Sequence, residues 1–469
     1  MNPGLRVLAQ SRLATSDGSA PAAVFSGAIV ESGLVPETRH VRHSLVFAAL
    51  VLACHTASSA YAQTPDTLHL TLDSARALAI RGNLDLAVAA AGVGIAAGRL
   101  KQARTYPFNP VLDVAPVSGD VEVGLSQEIE IAGQRRERGR AARFDVDRAE
   151  YTRNDAVRVL IADVDRAFYQ VFAVSRRLEF AREVLALNER LRDFAMRQLK
   201  EGKISKLDFN LVNIELGRSK SRSIAVARER NATELELRRL LSFSSPLAIM
   251  PVVDSTQLRV RRDSTSAISA PQLTVGGRSL DDLVQVALRL RPDLEARDAI
   301  VRRSGADVAV SRREAFPNLV ARVARQESTT GGGSTIRPSL GIALPFLNRN
   351  RGEIQSRQAA ARGAELERSS LALRIRTEVE AAVRAYVAAA AEIDILESTV
   401  LAPARENRLL LEAAYREGKV GLPVLLLIRN QVIDAELEYW SAWLAEREAL
   451  VAVAAATGEL SSSLGGGRK

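Results

Sequence analysis

Two stretches of this chain repeat one another about 210 residues apart, and a repeat of that size limits the folds open to it. Leu72-Asp73 opens an apolar helical stretch that runs to Tyr106-Pro107-Phe108, and Leu280-Asp281 opens another that runs to Phe316-Pro317. Each is followed by two short alternating segments and then by a very long helical pattern. Each long pattern ends on the same punctuation, Lys200-Glu201-Gly202-Lys203-Ile204 and Arg416-Glu417-Gly418-Lys419-Val420. This divides the chain into a first unit over 68–245, a linker over 246–278, a second unit over 279–460 and a short tail over 461–469. Each unit is too elongated to close a core alone, so the repeat reads as one architecture of two halves that goes on to assemble.

The long patterns are helical. From Gln134 to Lys200 there is no proline, and Gly139 is the one glycine. Val157, Leu160, Val164, Ala167, Val171, Val174, Leu178, Ala181 and Leu185 alternate steps of three and four. The second copy does the same with Ala372, Ile375, Val379, Ala382, Tyr386, Ala389, Ile393, Leu396 and Val400. That period is a coiled-coil seam. About 67 residues of helix reach roughly 100 Å, more than a compact domain needs. Gly202 and Gly418 should stop these helices, with neighbouring lysines meeting the carbonyl ends. Return helices are expected over about 206–241 and 423–457, so each half holds a helical hairpin with a tight basic tip. Pro403 falls inside the second long pattern and should kink or break it.

The alternating segments read as strands. Val121, Val123, Leu125 and Gln127 alternate with Glu122, Gly124 and Ser126; Leu340, Ile342 and Leu344 alternate with Ser339, Gly341 and Ala343. Their partners are Val111–Val117 and Leu319–Gln326, across turns at Ser118-Gly119-Asp120 and Ser328–Ile336. Period-two runs have one apolar face and one small or polar face. Tyr106, Phe108, Phe316 and Phe346 flank the strands at one end, as an interface belt would. Four strands cannot close a barrel, and open edges are not tolerated in lipid. Strands that span a membrane here must be pooled, and three chains give an even-numbered twelve-stranded barrel.

Composition removes other classes. The four histidines are His40, His43, His55 and His69, and the one cysteine is Cys54. The body therefore lacks the residues for a catalytic triad or a soft metal site, which argues against an enzyme and against any resident cofactor or metal. Net charge is +9, but the basic residues alternate with acids along helices, so nucleic acid is not an expected partner. Near the N-terminus, Arg39-His40-Val41-Arg42-His43 precedes the apolar run Ser44–Ala53 and the small residues ending Ala60-Tyr61-Ala62. This reads as an export signal cleaved after Ala62, preceded by an extension that a translation start near Val41 would explain. The competing reading is a lipoprotein signal ending at Cys54.

With these features the chain resembles the TolC-type outer-membrane efflux proteins over roughly 68–460. The resemblance is carried by the duplicated order of elements and by local strings. Ser126-Gln127-Glu128-Ile129-Glu130-Ile131-Ala132-Gly133-Gln134-Arg135 resembles the strand-to-helix junction of the heavy-metal branch. Leu344-Pro345-Phe346-Leu347-Asn348-Arg349-Asn350-Arg351-Gly352-Glu353-Ile354 resembles the second-half junction. Tyr415–Leu422 resembles a family tip. The resemblance implies a mainly α chain with membrane β: duplicated coiled-coil hairpins plus four strands. In a homotrimer these pool into a twelve-stranded barrel and an α-helical periplasmic tunnel. It implies a passive outer-membrane conduit working with a periplasmic membrane-fusion adaptor and an inner-membrane pump of the resistance-nodulation-division type, metal cations being one possible substrate class.

By position, the resemblance puts adaptor contact at Gly202, Lys203, Ile204, Ser205, Gly418, Lys419, Val420 and Gly421. TolC carries a ring of aspartates after its second tip. The matching stretch here, Val424-Leu425-Leu426-Leu427-Ile428-Arg429-Asn430, has no acid. Asp208, Leu427, Arg429 and Asn430 are the gate candidates, against the alternative that the leucines simply pack between helices. The competing architecture is a periplasmic coiled-coil adaptor or scaffold without a barrel, which accounts for the heptads but not for paired amphipathic strands in both halves.

Overall fold

A short parallel pair, β1 (Leu68–Leu70) and β4 (Ile249–Pro251), ties the start of the first half to its end. The computed structural model describes residues 68–117, 120–243, 248–253, 274–327 and 331–462. The expected export signal, most of the linker and nearly all of the tail lie outside the described residues.

In the first half, α1 (Leu72–Gly82) and α2 (Leu84–Arg104) meet at Asn83. The Asn83 Oδ1 caps α2 by accepting from the Asp85 and Leu86 amides, while its Nδ2 donates to the Leu240 carbonyl at 3.0 Å. Strands β2 (Val111–Val117) and β3 (Asp120–Ile129) follow, then α3 (Gln134–Lys200) and α4 (Lys206–Leu240). After a two-stranded turn, β5 (Thr274–Val275) and β6 (Arg278–Ser279), the second half repeats the order. It runs through α5 (Leu280–Leu290), α6 (Pro292–Glu314), β7 (Leu319–Glu327), β8 (Ser334–Ile342) and α7 (Arg351–Ile395). A π-helical turn (Leu396–Leu401), α8 (Ala402–Arg416), α9 (Leu422–Thr457) and α10 (Glu459–Ser462) complete it. The halves open alike: Thr71 and Ser279 each form a capping box, with Ser74 and Asp282.

The two hairpins form one antiparallel sheet in the order β2-β3-β7-β8, joined by β3 against β7 from Val121↔Glu327 to Ile129↔Leu319. Both edge strands carry a proline, Pro116 in β2 and Pro338 in β8. Proline has no N–H for a ladder, so in a sheet it is confined to such edges. The helices continue the strands in the same order, α2 beside α3, α3 beside α6, and α6 beside α7. Ion pairs cross these seams, from Arg303 to Asp145 at 2.9 Å and from Arg368 to Asp298 at 2.8 Å.

The heptads fall where their period puts them. From Leu160 to Ala181 every seam residue of α3 is buried; in α7, Ile375, Val379, Ala382, Ala389 and Ile393 are. Where α3 meets α9, Phe168, Tyr169, Phe172, Trp440 and Trp443 interlock, with ring centroids 5.3 to 6.2 Å apart. The Arg76 guanidinium forks onto buried Asp165 at 2.7 and 2.6 Å, fixing α1 on the middle of α3. Burial of Asp165 pushes its carboxyl up, against the pull of Arg76.

Three expectations need correction. Leu344 lies outside β8, which ends at Ile342 ahead of Pro345. The second strand loop is shorter than Ser328–Ile336, because the ladder already pairs Ser334 with Glu327. The ammonium groups of Lys203 and Lys419 lie past the stop and pair with Glu201 and Glu417 at 2.8 and 2.5 Å, and it is their backbone amides that meet the helix carbonyls. At Pro403 the helix does break. The chain widens to a π turn just before it and resumes with proline in the first turn of α8, where its missing N–H costs least.

Candidate functional site: a two-faced sheet and two paired tips

The register of the four strands sorts their side chains by chemistry. One face carries Leu112, Val114, Val121, Val123, Leu125, Val323, Ile336, Leu340 and Ile342, with Arg325 and Glu327 joining it only at the loop end of the sheet. All are exposed, Leu340 to 74% and Ile336 to 68%. An exposed apolar face of this extent, charged only at its loop end, is not left to water by a soluble chain. The other face carries Asp113, Glu122, Gly124, Ser126, Arg322, Gln326 and Ser339. There Arg322 of β7 pairs with Asp113 of β2 and, at 2.9 Å, with Glu122 of β3. Gly124 makes the room: a Cβ at that position would lie 2.7 Å from the Arg322 Nη2 and 2.9 Å from the Asp113 Oδ2. Apolar on one face and ion-paired on the other is the pattern of a strand set between lipid and a watery lumen.

At the helix end of the sheet, Phe316 and Phe346 are exposed as an interface belt requires. Tyr106 is turned inward instead. Its hydroxyl donates to the Glu128 carbonyl at 2.8 Å and accepts from the Glu130 amide at 3.2 Å. Among the described residues no single helix is long and apolar enough to cross a membrane, and α1 with α2 is bent by 47° between them.

The tips are built alike. Gly202 and Gly418 both have left-handed backbones, and each helix closes with the same two hydrogen bonds. The Lys203 amide donates to the Gln198 carbonyl and the Lys419 amide to Ala414, both at 2.9 Å. The Gly202 and Gly418 amides donate to Leu199 and Tyr415, both at 3.1 Å. Two residues further on, Ile204 and Val420 pack on a shared tip core of Ala195, Phe209, Val212, Leu411, Leu422, Leu425 and Leu426. Gly202, Lys203, Ser205, Gly418, Lys419 and Gly421 remain exposed around it.

The gate candidates separate. Asp208 is engaged in a capping box: its carboxylate accepts from the Ser205 hydroxyl at 2.7 Å and the Ser205 amide at 3.2 Å. The string Ser205-x-x-Asp208 carries that signature in the sequence. Burial raises the Tyr415 phenol, with the Asp208 charge adding to it. The leucine run divides: Leu425 and Leu426 are buried in the tip core, whereas Leu427 is 62% exposed. Arg429 is half-buried, and the Asn430 amide donates to Glu215 at 3.4 Å, linking the two return helices. The ion cluster of Asp113, Glu122 and Arg322 was not among the expected site residues. Its signal is the period-two placement of charges on the face that also carries Gly124.

The profile of the family described as "Outer membrane efflux protein" matches residues 75–242. The cobalt-zinc-cadmium resistance protein CzcC of Cupriavidus metallidurans is 23% identical over 375 residues, which cover 79% of this chain and 85% of that one. The first half of the chain is thus similar to the outer membrane efflux protein family, and CzcC is similar over most of both chains. Solved structures share the fold. CusC, described with transmembrane channel formation, matches with a TM-score of 0.67 at 15% identity over 84% of this chain and 93% of its own. The outer membrane protein VceC of Vibrio cholerae matches with a TM-score of 0.65 at 14% identity over 82% of this chain and 96% of its own. A soluble scaffold of heptads leaves the two-faced sheet without a purpose.

Proposed function

We propose that this chain is an outer-membrane efflux channel that works as a homotrimer. Its pooled strands close a twelve-stranded barrel, and its helices extend a tunnel into the periplasm. The observation that carries this reading is the sheet of β2, β3, β7 and β8, apolar and exposed on one face, ion-paired on the other and open at both edges. In lipid those edges need partners, and further copies of the same sheet supply them. The apolar face meets acyl chains, and Asp113, Glu122 and Arg322 line the water-filled bore.

In this reading the exposed tip residues around Gly202 and Gly418 receive a periplasmic adaptor, and an inner-membrane pump supplies the energy. The chain is a conduit and holds no substrate. Leu427 and the neighbouring Arg429 and Asn430 narrow the periplasmic mouth at rest, with Asp208 holding the first tip in shape. The relative named for cobalt, zinc and cadmium resistance supports divalent metal cations as the cargo. Deleting the gene and scoring growth on cobalt, zinc and cadmium salts tests the cargo. Membrane fractionation with a heat-modifiable band at trimer mass tests the assembly. A monomer in the soluble periplasmic fraction would overturn it.

A further inference from the structure

Six exposed arginines cluster at the helix end of the sheet: Arg135 and Arg136 in the first turn of α3, Arg312 and Arg313 in the last turn of α6, and Arg349 and Arg351 at the start of α7. None of the six is in an ion pair among the described residues. Two nearby acids are taken by other arginines, Glu130 by Arg138 at 2.5 Å and Glu353 by Arg357 at 2.6 Å, and Glu137 lies 3.9 Å from Arg140. Glu314 is exposed beside Arg313.

Four of these arginines stand against local electrostatics. Arg135, Arg136 and Arg351 occupy helix N-terminal turns, and Arg349 lies just ahead of one, where the helix dipole already presents positive charge. Inside the chain only the Tyr106 ring, 6.0 Å from the Arg135 guanidinium, favours a cation there, so an external anion is the fitting complement. Position names the anion. The apolar face of the sheet ends at the same level in exposed Phe316, Phe346 and Leu347, the depth at which aromatic and apolar side chains leave acyl chains for headgroups. Arginine forks match phosphate oxygens bidentately.

We propose that these six arginines form a collar that binds the phosphates of anionic phospholipids in the periplasm-facing leaflet. In a trimer the collar repeats around the barrel and fixes its depth in the membrane. The inference rests on the barrel reading above.

The test uses the full chain reconstituted in phosphatidylcholine vesicles carrying a trace of spin-labelled phosphatidylglycerol or spin-labelled phosphatidylcholine. Electron paramagnetic resonance then gives the share of each lipid immobilised at the protein surface. The native chain should hold phosphatidylglycerol about three-fold over phosphatidylcholine at low salt, with the preference fading at high salt. Replacing all six arginines by glutamine should bring the ratio to about one while the chain still inserts and conducts. Should that variant not assemble, the milder R312Q/R313Q pair should lower the ratio part-way. Equal retention of the two lipids by the native chain, or a ratio unmoved by either variant, overturns the collar while leaving the barrel intact. A native chain that does not enter vesicles contradicts the barrel and the collar with it.

Discussion

Gly202 and Gly418 hold nearly the same backbone, with φ of +70° and +69°, and each ends a long helix with the same pair of amide-to-carbonyl bonds. The duplication thus extends to the atoms of the turn. A Cβ at either position meets nothing within 4 Å, so a side chain there costs backbone strain alone. Gly202→Ala and Gly418→Ala should each destabilise by about 1–2 kcal/mol, and asparagine should cost less. Thermal unfolding of the single variants checks this, and unequal costs would break the equivalence of the tips.

At Gly124 the opposite holds, because space is the constraint. Alanine there would press on Arg322 and Asp113. Gly124→Ala should loosen the cluster, and Arg322→Gln should leave the Asp113 and Glu122 carboxylates without their cation. In a planar bilayer with a potassium chloride gradient, Arg322→Gln should shift the reversal potential towards stronger cation selectivity. No shift would place these residues outside the conducting path.

The divided leucine run gives a paired comparison. Leu426→Ala opens a cavity in the tip core and should cost about 2–5 kcal/mol. Leu427→Asp adds a charge at an exposed position and should leave stability within about 0.5 kcal/mol. If Leu427 narrows the mouth, the same substitution raises cation selectivity and single-channel conductance. Unchanged currents would assign Leu427 to the outer surface.

Much of this was legible in the sequence because helical and strand periods are local. Steps of three and four marked the α3 and α7 seams, steps of two marked the strands, and glycine after Lys-Glu or Arg-Glu marked the tips. What is set by distant pairing was not legible. Nothing local joins β3 to β7, and that pairing turns two hairpins into one sheet and brings Arg322 to Asp113. Nor does a run of leucines say which of its members face a neighbouring helix. At Asp208 two readings overlap, since an acid after a tip suggests a gate while its spacing from Ser205 also spells a cap.

Pro403 offers a test of the break in the second long helix. The π turn over Leu396–Leu401 accommodates the missing amide, and no such turn is present in α3. Pro403→Ala restores that donor, and the segment should relax towards α-helix. Slower amide exchange across 396–403, with a rise in stability of up to about 1 kcal/mol, is the expected outcome. Unchanged exchange would show that side-chain packing, not proline, sets the turn.

The central claim is that one face of the four-stranded sheet meets lipid and the other meets water. Single cysteines from Thr335 to Ile342, in a chain without Cys54, can carry an environment-sensitive fluorophore in reconstituted vesicles. Brominated acyl chains should quench labels at Ile336, Leu340 and Ile342, and aqueous iodide should quench those at Thr335, Arg337, Ser339 and Gly341. That two-residue alternation is the result expected of a barrel strand. Quenching by iodide at every position would contradict it.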